Sequence, residues 1–513
     1  MRGIKTQKTR IRKAIFAEVA RLAYEGGGKE ELEKLPYKII PGEVATYRDS
    51  IFVERAIVSE RLRVALGMSI RPMTEPAPIS QGLDQSMIGE KYYEPPLIDI
   101  IKFACHACPE KRVYATDGCQ GCFEHPCVEV CPKGAIKLVN GRSVVDQEKC
   151  IKCGRCIGAC PYHAIVKQER PCAMACGMKA IGSDQYGRAE IDHKKCVSCG
   201  MCLVNCPFSA IVDKGQIYQT ITAIKSDTPV YAIVAPAFAG QFPNLKPEQV
   251  RSLFKALGFM EVASVATGAD ICTIEEAKDF LKEVPDEKPF MATSCCPAWS
   301  VMVKNEFPDQ ADCISMAMTP MVLTARLVKM VHPECKIAFI GPCAAKKLEA
   351  SRRTIKSYVD FVLTFEEVAG MVEAKGIKIE DLPADRLLRE ASADGMGFAA
   401  AGGVAQAVVN YVKKLDPERE VKTAAAAGLE ECKKMMMMAK AGKYNGYLLE
   451  GMACPGGCIA GAGTIADAPK AAKALLEVEK QTIYREAAET SYAEWLPTLE
   501  HFDLHEWTKE LED

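Results

Sequence analysis

No uninterrupted apolar run in this 513-residue chain is long enough to span a bilayer. The basic start (Arg2, Lys5, Lys8, Arg10, Arg12, Lys13) is not followed by an apolar segment of the signal-peptide kind. Neither sign of charge dominates. With 65 Lys+Arg against 67 Asp+Glu the net charge is −2, which gives no electrostatic case for nucleic acid. A glycine-rich dinucleotide or phosphate loop in a credible context is also missing. Together these absences lead us to expect a cytoplasmic protein with no membrane and no nucleic-acid partner. The first 100 residues lack cysteine altogether, yet the chain holds 25. Their tight spacings, in a chain of this size, favour metal over disulfides.

The length predicts several domains. Residues 1–100 read as a small helical segment packing on the cysteine-rich region next to it in the chain. Helical apolar spacing runs over 11–24 and 53–68, with a Pro- and Gly-containing link at 35–43 and Pro-rich loops from 71. The basic start reads as a solvated helix face.

Residues 101–215 hold sixteen cysteines. Two runs, Cys150-x2-Cys153-x2-Cys156-x3-Cys160-Pro161 and Cys196-x2-Cys199-x2-Cys202-x3-Cys206-Pro207, resemble the bacterial ferredoxin run, whose fourth Cys ligates the other cluster of a pair. A third, Cys119-x2-Cys122-x4-Cys127-x3-Cys131-Pro132, is the same device with a longer middle loop. The fragments Cys105-x2-Cys108 and Cys172-x3-Cys176 supply the beginning and end of a fourth, and similar split runs occur in four-cluster ferredoxin-like subunits. Each run precedes an Ala-Ile pair (135–136, 164–165, 180–181, 210–211), an internal repeat that puts Cys172 and Cys176 in register. Four 4Fe–4S clusters then use every thiol. The swap rule groups Cys119, Cys122 and Cys127 with Cys160, and Cys150, Cys153 and Cys156 with Cys131. It groups Cys105, Cys108 and Cys172 with Cys206, and Cys196, Cys199 and Cys202 with Cys176. Zinc is the competing reading of paired Cys-x2-Cys, disfavoured by the full run ending in Cys-Pro. His106, His125, His163 and His193 are expected to be surface residues or supports.

Residues 215–228 read as a linker, and 225–513 as an α/β domain with a largely parallel sheet, because β-like and helix-like stretches alternate. Three stretches there follow β-like runs at 289–293, 336–340 and 447–450. They are Thr293-Ser294-Cys295-Cys296-Pro297-Ala298-Trp299, Gly341-Pro342-Cys343-Ala344-Ala345-Lys346-Lys347 and Glu450-Gly451-Met452-Ala453-Cys454-Pro455-Gly456-Gly457-Cys458. Groups just beyond the carboxyl ends of strands converge on one crevice, so Cys296, Cys343, Cys454 and Cys458 can meet as the four thiolates of a cubane, with Cys295 as a spare thiol. Cys272, Cys313, Cys335 and Cys432 lie outside motifs and read as core thiols. Residues 435–438, all Met, read as adaptable packing. A helical segment within 305–331 is expected to carry Ser315 and Met321.

These three stretches resemble the signature motifs of the FeFe hydrogenases over roughly residues 230–463, with Ala298 suggesting a separate branch. The resemblance implies an H-cluster: a 4Fe–4S cubane on Cys296, Cys343, Cys454 and Cys458, joined through Cys458 to a two-iron subcluster with CO, cyanide and a dithiolate. It implies a reaction between protons, electrons and dihydrogen, a ferredoxin or similar one-electron carrier, and hydrogenase maturation proteins. Cys295 matches the proton-relaying thiol, and Lys346 the lysine that hydrogen-bonds cyanide. Ala235-Pro236-Ala237 and Met452 match positions bordering the two-iron site, and 398–404 a glycine turn near it. The proton path matches at Glu276 and Ser315. Asp279 stands at the expected outer Glu and Glu283 at the expected Arg. Gly341 replaces the usual Met, and Met321 the usual Gln. The tail with Tyr492, Trp495, Phe502 and Trp507 resembles the family's C-terminal wrap. A hydrogen sensor and a non-catalytic hydrogenase-like assembly protein are the alternatives. Anaerobically purified protein is expected to hold about 20 iron atoms, from five cubanes, before the subcluster adds two. Chemical iron analysis near about eight, with the other cysteines titratable as thiols, rules out the four accessory clusters.

Overall fold

Four antiparallel two-stranded ribbons carry the cysteine-rich region, and their pairing is nested. Ile98–Ile100 pairs with Ile211–Asp213, and the hairpin Ile181–Ser183/Ala189–Ile191 belongs to that outer unit. Arg112–Ala115 pairs with Ile165–Gln168 around the hairpin Ile136–Val139/Arg142–Val145, forming an inner unit inserted in the outer one. The insertion is why one cysteine run is split. Every Ala-Ile repeat does the same local job: its Ala is buried and its Ile opens a strand. The structure, a computed structural model, describes residues 3–4, 6–352 and 355–504. Arg2, Lys5 and Trp507 lie outside the described residues.

The α/β region contains two parallel sheets where one was expected. The first has the order Glu261–Ser264, Val230–Val234, Lys336–Gly341, Phe361–Thr364. The second has the order Met291–Ala292, Tyr447–Met452, Lys422–Ala427. The last strand is a run of small residues that apolar patterning does not single out. The long helix Ala266–Glu283 packs against Pro320–Val331 and Gly403–Leu415. No helix among the described residues is long and apolar enough to cross a membrane.

Three readings of the first half are corrected. The stretch 35–43 is not simply a link, because the helix Lys29–Ile39 runs through Pro36. Residues 215–228 are not simply a linker, because they contain the helix Ile217–Ile224, with Ile217 and Ile221 fully buried. The basic start is only partly a solvated face: Arg10 and Lys13 are exposed, but Lys8 and Arg12 turn inward. These four lie in the helix Gln7–Glu25, N-capped by Thr6, which shares one core with Val230, Phe254 and Phe365. That helix crosses Phe365–Ala374 so closely that a Cβ on Gly370 would stand 2.5 Å from Phe16 Cβ. Lys8 Nζ donates to the carbonyls of Leu203, Val204 and Cys206 at 2.7, 3.2 and 3.1 Å. Burial, with Arg12 nearby, lowers the Lys8 pKa to about 8, so it stays cationic at neutral pH. Lys13 pairs with Glu373, and Arg10 is exposed.

A buried charge network ties the three regions together. Arg12 reaches Asp213 at 3.5 Å and Glu366 at 2.7 Å. Lys347 reaches Asp213 at 3.4 Å, Glu367 at 3.0 Å and the Lys214 carbonyl at 2.7 Å. Burial alone would raise the Asp213 carboxyl, but Lys347 and Arg12 outweigh it and the net shift is downward. Asp213 therefore contributes stability that is present above its ordinary value of 3.8 and lost as pH falls through the depressed folded value. Lys347→Met leaves Glu367 buried without its cation. We expect a loss of about 3–5 kcal/mol, read as a lowered thermal midpoint at pH 7 that narrows toward the wild type below the ordinary carboxylate range. An unchanged midpoint at pH 7 contradicts this role.

Candidate metal centre

The cysteine loops repeat in backbone as well as in sequence. The residue before the second Cys of each Cys-x2-Cys is left-handed: Ala107 at φ 46°, Gly121 at 58°, Lys152 at 60° and Ser198 at 55°. So is the third residue after each closing Cys: Gly134 at 56°, His163 at 51°, Lys179 at 51° and Ser209 at 56°. Three non-Gly residues at each position accept a conformation that costs of order 1–3 kcal/mol. The shared bend turns backbone N–H groups toward sulfur. Ala135, Ala164 and Ala180 donate to Sγ of Cys131, Cys160 and Cys176 at 3.2, 3.4 and 3.4 Å. Cys172-x3-Cys176 is thus in register with the full runs.

Several of the thiols expected to share a cluster lie near one another. Cys105, Cys108, Cys172 and Cys206 line one cavity, and Cys131, Cys150, Cys153 and Cys156 line another. Cys196, Cys199 and Cys202 have Cys176 as their electrostatic neighbour. Cys119 and Cys127 share Ser143, whose N–H donates to the first at 3.5 Å and whose hydroxyl lies 3.2 Å from the second. Cys160 packs in the same small core as Cys127. Burial pushes the Cys199 and Cys172 thiols up to about 12. Among the described residues no three His, Cys, Asp or Glu side chains converge as a single ion requires. Each of the two cavities is lined by four thiols, the number a 4Fe–4S cluster takes when each iron has one thiolate. Of the four histidines, His163 and His193 are exposed, His125 is half-buried, and exposed His106 stacks on Phe208 with ring centres 4.4 Å apart.

The three signature stretches meet where the two sheets present their carboxyl ends. Cys296 and Cys343 are the N-cap residues of Pro297–Glu306 and Ala344–Ser351, where a helix dipole favours thiolate. Cys454 follows its strand, and the turn Gly456–Gly457 (φ 93° and 89°) leads to Cys458. A Cβ on Gly457 would lie 2.6 Å from Ala401 N, so the turn at 399–401 presses on this loop, and the Ile459 N–H donates to the Ala399 carbonyl. The Trp299 indole donates to the Thr293 carbonyl at 3.1 Å and lies on Gly451, where a Cβ would come within 2.2 Å of the ring. That contact locks the first and third stretches together. Cys454 has Cys343, Cys296, Cys458 and Cys199 around it. Burial, then neighbouring thiols, raises Cys343 to about 11 and Cys458 to about 12. Four soft donors, three of them with raised pKa values, suit a cationic iron cluster, which binds them as thiolates. Gly200 (φ 78°) brings the Cys199 loop up to this site, a Cβ there standing 2.5 Å from Ala462 Cβ.

Cys295 stands apart from the quartet, half-buried by surface but enclosed on its reactive side. Burial raises its pKa, helped by Glu276, Cys296 and Glu450. Burial likewise lifts Glu276 to about 7, against hydrogen bonds from Ser294 at 2.9 Å (N–H) and 3.2 Å (Oγ). The Ser315 hydroxyl also faces Glu276. Ser315 is not on a helix as expected. It lies in the extended stretch before Pro320–Val331, donating its N–H to the Ala292 carbonyl at 2.7 Å, while Met321 is on that helix. Glu276, Asp279 and Glu283 share one face of Ala266–Glu283 at spacings of three and four, Asp279 half-buried and Glu283 paired with Lys288 at 2.6 Å.

Lys346 is buried and donates to Glu349 Oε2 at 2.6 Å. Sequence reasoning passed over Glu349, although its i+3 spacing on a helix was a usable signal. It also gave no role to Glu450, which accepts N–H groups of Gly402 and Ala405 at 2.7 and 2.8 Å. Lys288 supplies a cation where Glu283 replaced one. Cys272 is fully buried, as a core thiol should be, but its neighbours are Glu276 and Cys295. Cys313, Cys335 and Cys432 are buried, as are Met435 and Met436, whereas Met437 is 63% exposed. Ala235, Ala237 and Met452 are buried, and Pro236 is half-buried beside them.

Residues 228–462 match the model described as iron only hydrogenase large subunit, C-terminal domain, and residues 143–166 and 189–212 match the 4Fe-4S binding domain. The second half of the chain is thus similar to an iron-only hydrogenase C-terminal domain, and two stretches of the cysteine-rich region are similar to 4Fe-4S binding domains. It is 29% identical to iron hydrogenase 1 of Clostridium pasteurianum over 390 residues, 65% of this chain and 67% of that protein. It is also 26% identical to cytosolic iron-sulfur assembly component 3 of Bos taurus over 287 residues, 46% of this chain and 60% of that one. The chain therefore spans about two thirds of the length of such relatives. Among solved structures, apo FeFe-hydrogenase HydA1 of Chlamydomonas reinhardtii, in a variant form, aligns with TM-score 0.45 and 23% identity, covering 53% of this chain and 89% of that one.

The departure at Gly341 in this hydrogenase-like domain has a steric cause. A Cβ there would lie 2.2 Å from the Phe339 ring, two residues back on the same face of the strand. Gly341→Met is therefore expected to cost about 1–3 kcal/mol by overpacking and to lower cluster iron, while Phe339→Ala with Gly341→Met recovers both. Denaturation and iron analysis of the double-mutant cycle check this; additive losses contradict it.

Proposed function

We propose that this chain is an FeFe hydrogenase, interconverting protons and electrons with dihydrogen and exchanging electrons in the cytoplasm with a ferredoxin-type carrier. The observation that carries the reading is Cys295. It belongs to no quartet, yet it is held against Glu276 at the inner end of an acidic helix face. A protein that only holds or hands on iron–sulfur clusters has no use for an isolated thiol backed by a titrating acid.

Cys296, Cys343, Cys454 and Cys458 would hold the catalytic cubane. When bound, the two-iron subcluster and its dithiolate supply the dihydrogen chemistry. Lys346, oriented by Glu349, anchors it with ammonium donors. Ala235, Pro236, Ala237 and Met452 border it and limit water. Cys295 gives up and regains a proton, and Glu276, lifted to about 7, takes and returns it near neutral pH. Ser315 passes the proton outward to Asp279 or to Glu283 with Lys288. Gly200 lets the Cys199 loop come close to the third signature stretch, so a cluster on Cys176, Cys196, Cys199 and Cys202 would lie beside the catalytic cubane and could exchange electrons with it. The carrier docks at the inner unit, where Cys153 is the one exposed cysteine among the described residues and Lys133 and Arg155 are exposed beside it. Those cations suit an acidic carrier.

The likeness to an iron–sulfur assembly component supports a second reading, in which the cubanes are present but the subcluster never is. Infrared spectroscopy of anaerobic protein treated with hydrogenase maturation proteins separates the two. Iron-bound CO and cyanide bands are expected, and their absence from protein that holds its cubanes favours the assembly reading. Cys295→Ala should keep the bands and the iron but lose turnover by orders of magnitude, with Cys295→Asp retaining more. Native turnover in Cys295→Ala contradicts the proton route.

A further inference from the structure

The N-terminal helical segment has no part in ligation or proton transfer, yet it sends three cations to one cluster loop. Lys8 donates to the carbonyls of Leu203, Val204 and Cys206. Arg48 donates to the carbonyls of Ala104 and Phe208 at 3.0 and 2.9 Å, its guanidinium 5.8 Å from the Phe208 ring centre. Arg61, 5% exposed, donates to Ser209 Oγ at 2.6 Å. All these acceptors flank Cys105 or Cys206. From the opposite side Arg170, 4% exposed, donates to the Cys108 carbonyl at 2.9 and 3.1 Å. Among the described residues no carboxylate lines that cavity, and Lys8, Arg48 and Arg61 pair with none. The nearby acids are turned elsewhere: Glu54 to the N–H groups of Thr46 and Arg48, and Asp213 to Arg12 and Lys347.

Besides holding those carbonyls, the ammonium and the two guanidiniums place fixed positive charge beside the cluster loop. A cubane gains one negative charge on reduction. Fixed cations in a poorly solvated surround stabilise the reduced form more than the oxidised one and raise the reduction potential. Lys133 and Arg155 stand beside the Cys131/150/153/156 cavity in open solvent, where water and salt screen them. We propose that the N-terminal segment is a redox-tuning cap: Lys8, Arg48 and Arg61 raise the potential of the cluster held by Cys105, Cys108, Cys172 and Cys206 above those of the inner unit. That makes it an electron store inside the relay, next to the cluster that adjoins the catalytic site, since Cys172 neighbours Cys202. The inference rests on the four-cluster reading above.

The test is an electron paramagnetic resonance redox titration at pH 7 of full-length protein, purified anaerobically with its cubanes. Cys172→Ser first identifies the signal of this cluster by its loss. Lys8→Met, Arg48→Met and Arg61→Met are each expected to lower the reduction equilibrium of that signal about tenfold, ~59 mV for a one-electron couple, with the other signals unmoved. Lys8→Arg, which keeps the charge, should leave it in place. Should Arg61→Met not fold, the Lys8 and Arg48 variants decide alone. An unmoved signal in both, or an equal shift of every signal, overturns the proposal. If Cys172→Ser removes no signal and no iron, the ligand grouping itself is wrong, and the proposal falls with it.

Discussion

A buried thiol is a poor acid, and the rest of this molecule is arranged around that fact. Burial raises Cys172, Cys199 and Cys458 to about 12, and the thiols closest together raise one another further. Such groups ionise only when a strong positive charge joins them, which is what an iron cluster brings. Backbone N–H groups and helix N-termini supply the remainder. The left-handed residues at two fixed points in every loop aim the former, and the N-cap positions of Cys296 and Cys343 supply the latter.

The second constraint is closeness between units. Gly200 meets Ala462, and Gly370 meets Phe16. Contacts without room for a methyl group fix how these elements pack. The Lys347 network holds this geometry across three stretches of chain far apart in sequence. The N-terminal segment shares its core with the first parallel sheet, and its cations reach the Cys206 loop because its apolar face is anchored elsewhere.

Much of the site was legible from spacing. Ferredoxin-like runs and Ala-Ile repeats report local loop geometry, which a few consecutive residues decide. The signature stretches were legible because strand, cysteine and helix start are contiguous. Less legible were features in which one residue answers another far away. The strand Lys422–Ala427 has little apolar signal and forms because Tyr447–Met452 lies beside it. Ser315 lies in an extended stretch because it pairs with Ala292. Lys8 and Arg12, basic residues on a helix, read as solvent-facing until their carbonyl and carboxylate partners, some 200 to 350 residues on, are in place.

The sequence by itself determined which thiols are available, which of them recur at ferredoxin-like spacings, and that Cys295 stands beside Cys296, because each of these is local to a short loop. Only the tertiary structure decided that the split run closes around an inserted unit, that two sheets rather than one converge on the catalytic cysteines, and that Lys346 is tied to Glu349. It alone placed the acidic helix face against Cys295 and the N-terminal cations against Cys206. Those depend on which surfaces bury against which, a balance of area, charge and closeness that no single stretch of chain contains.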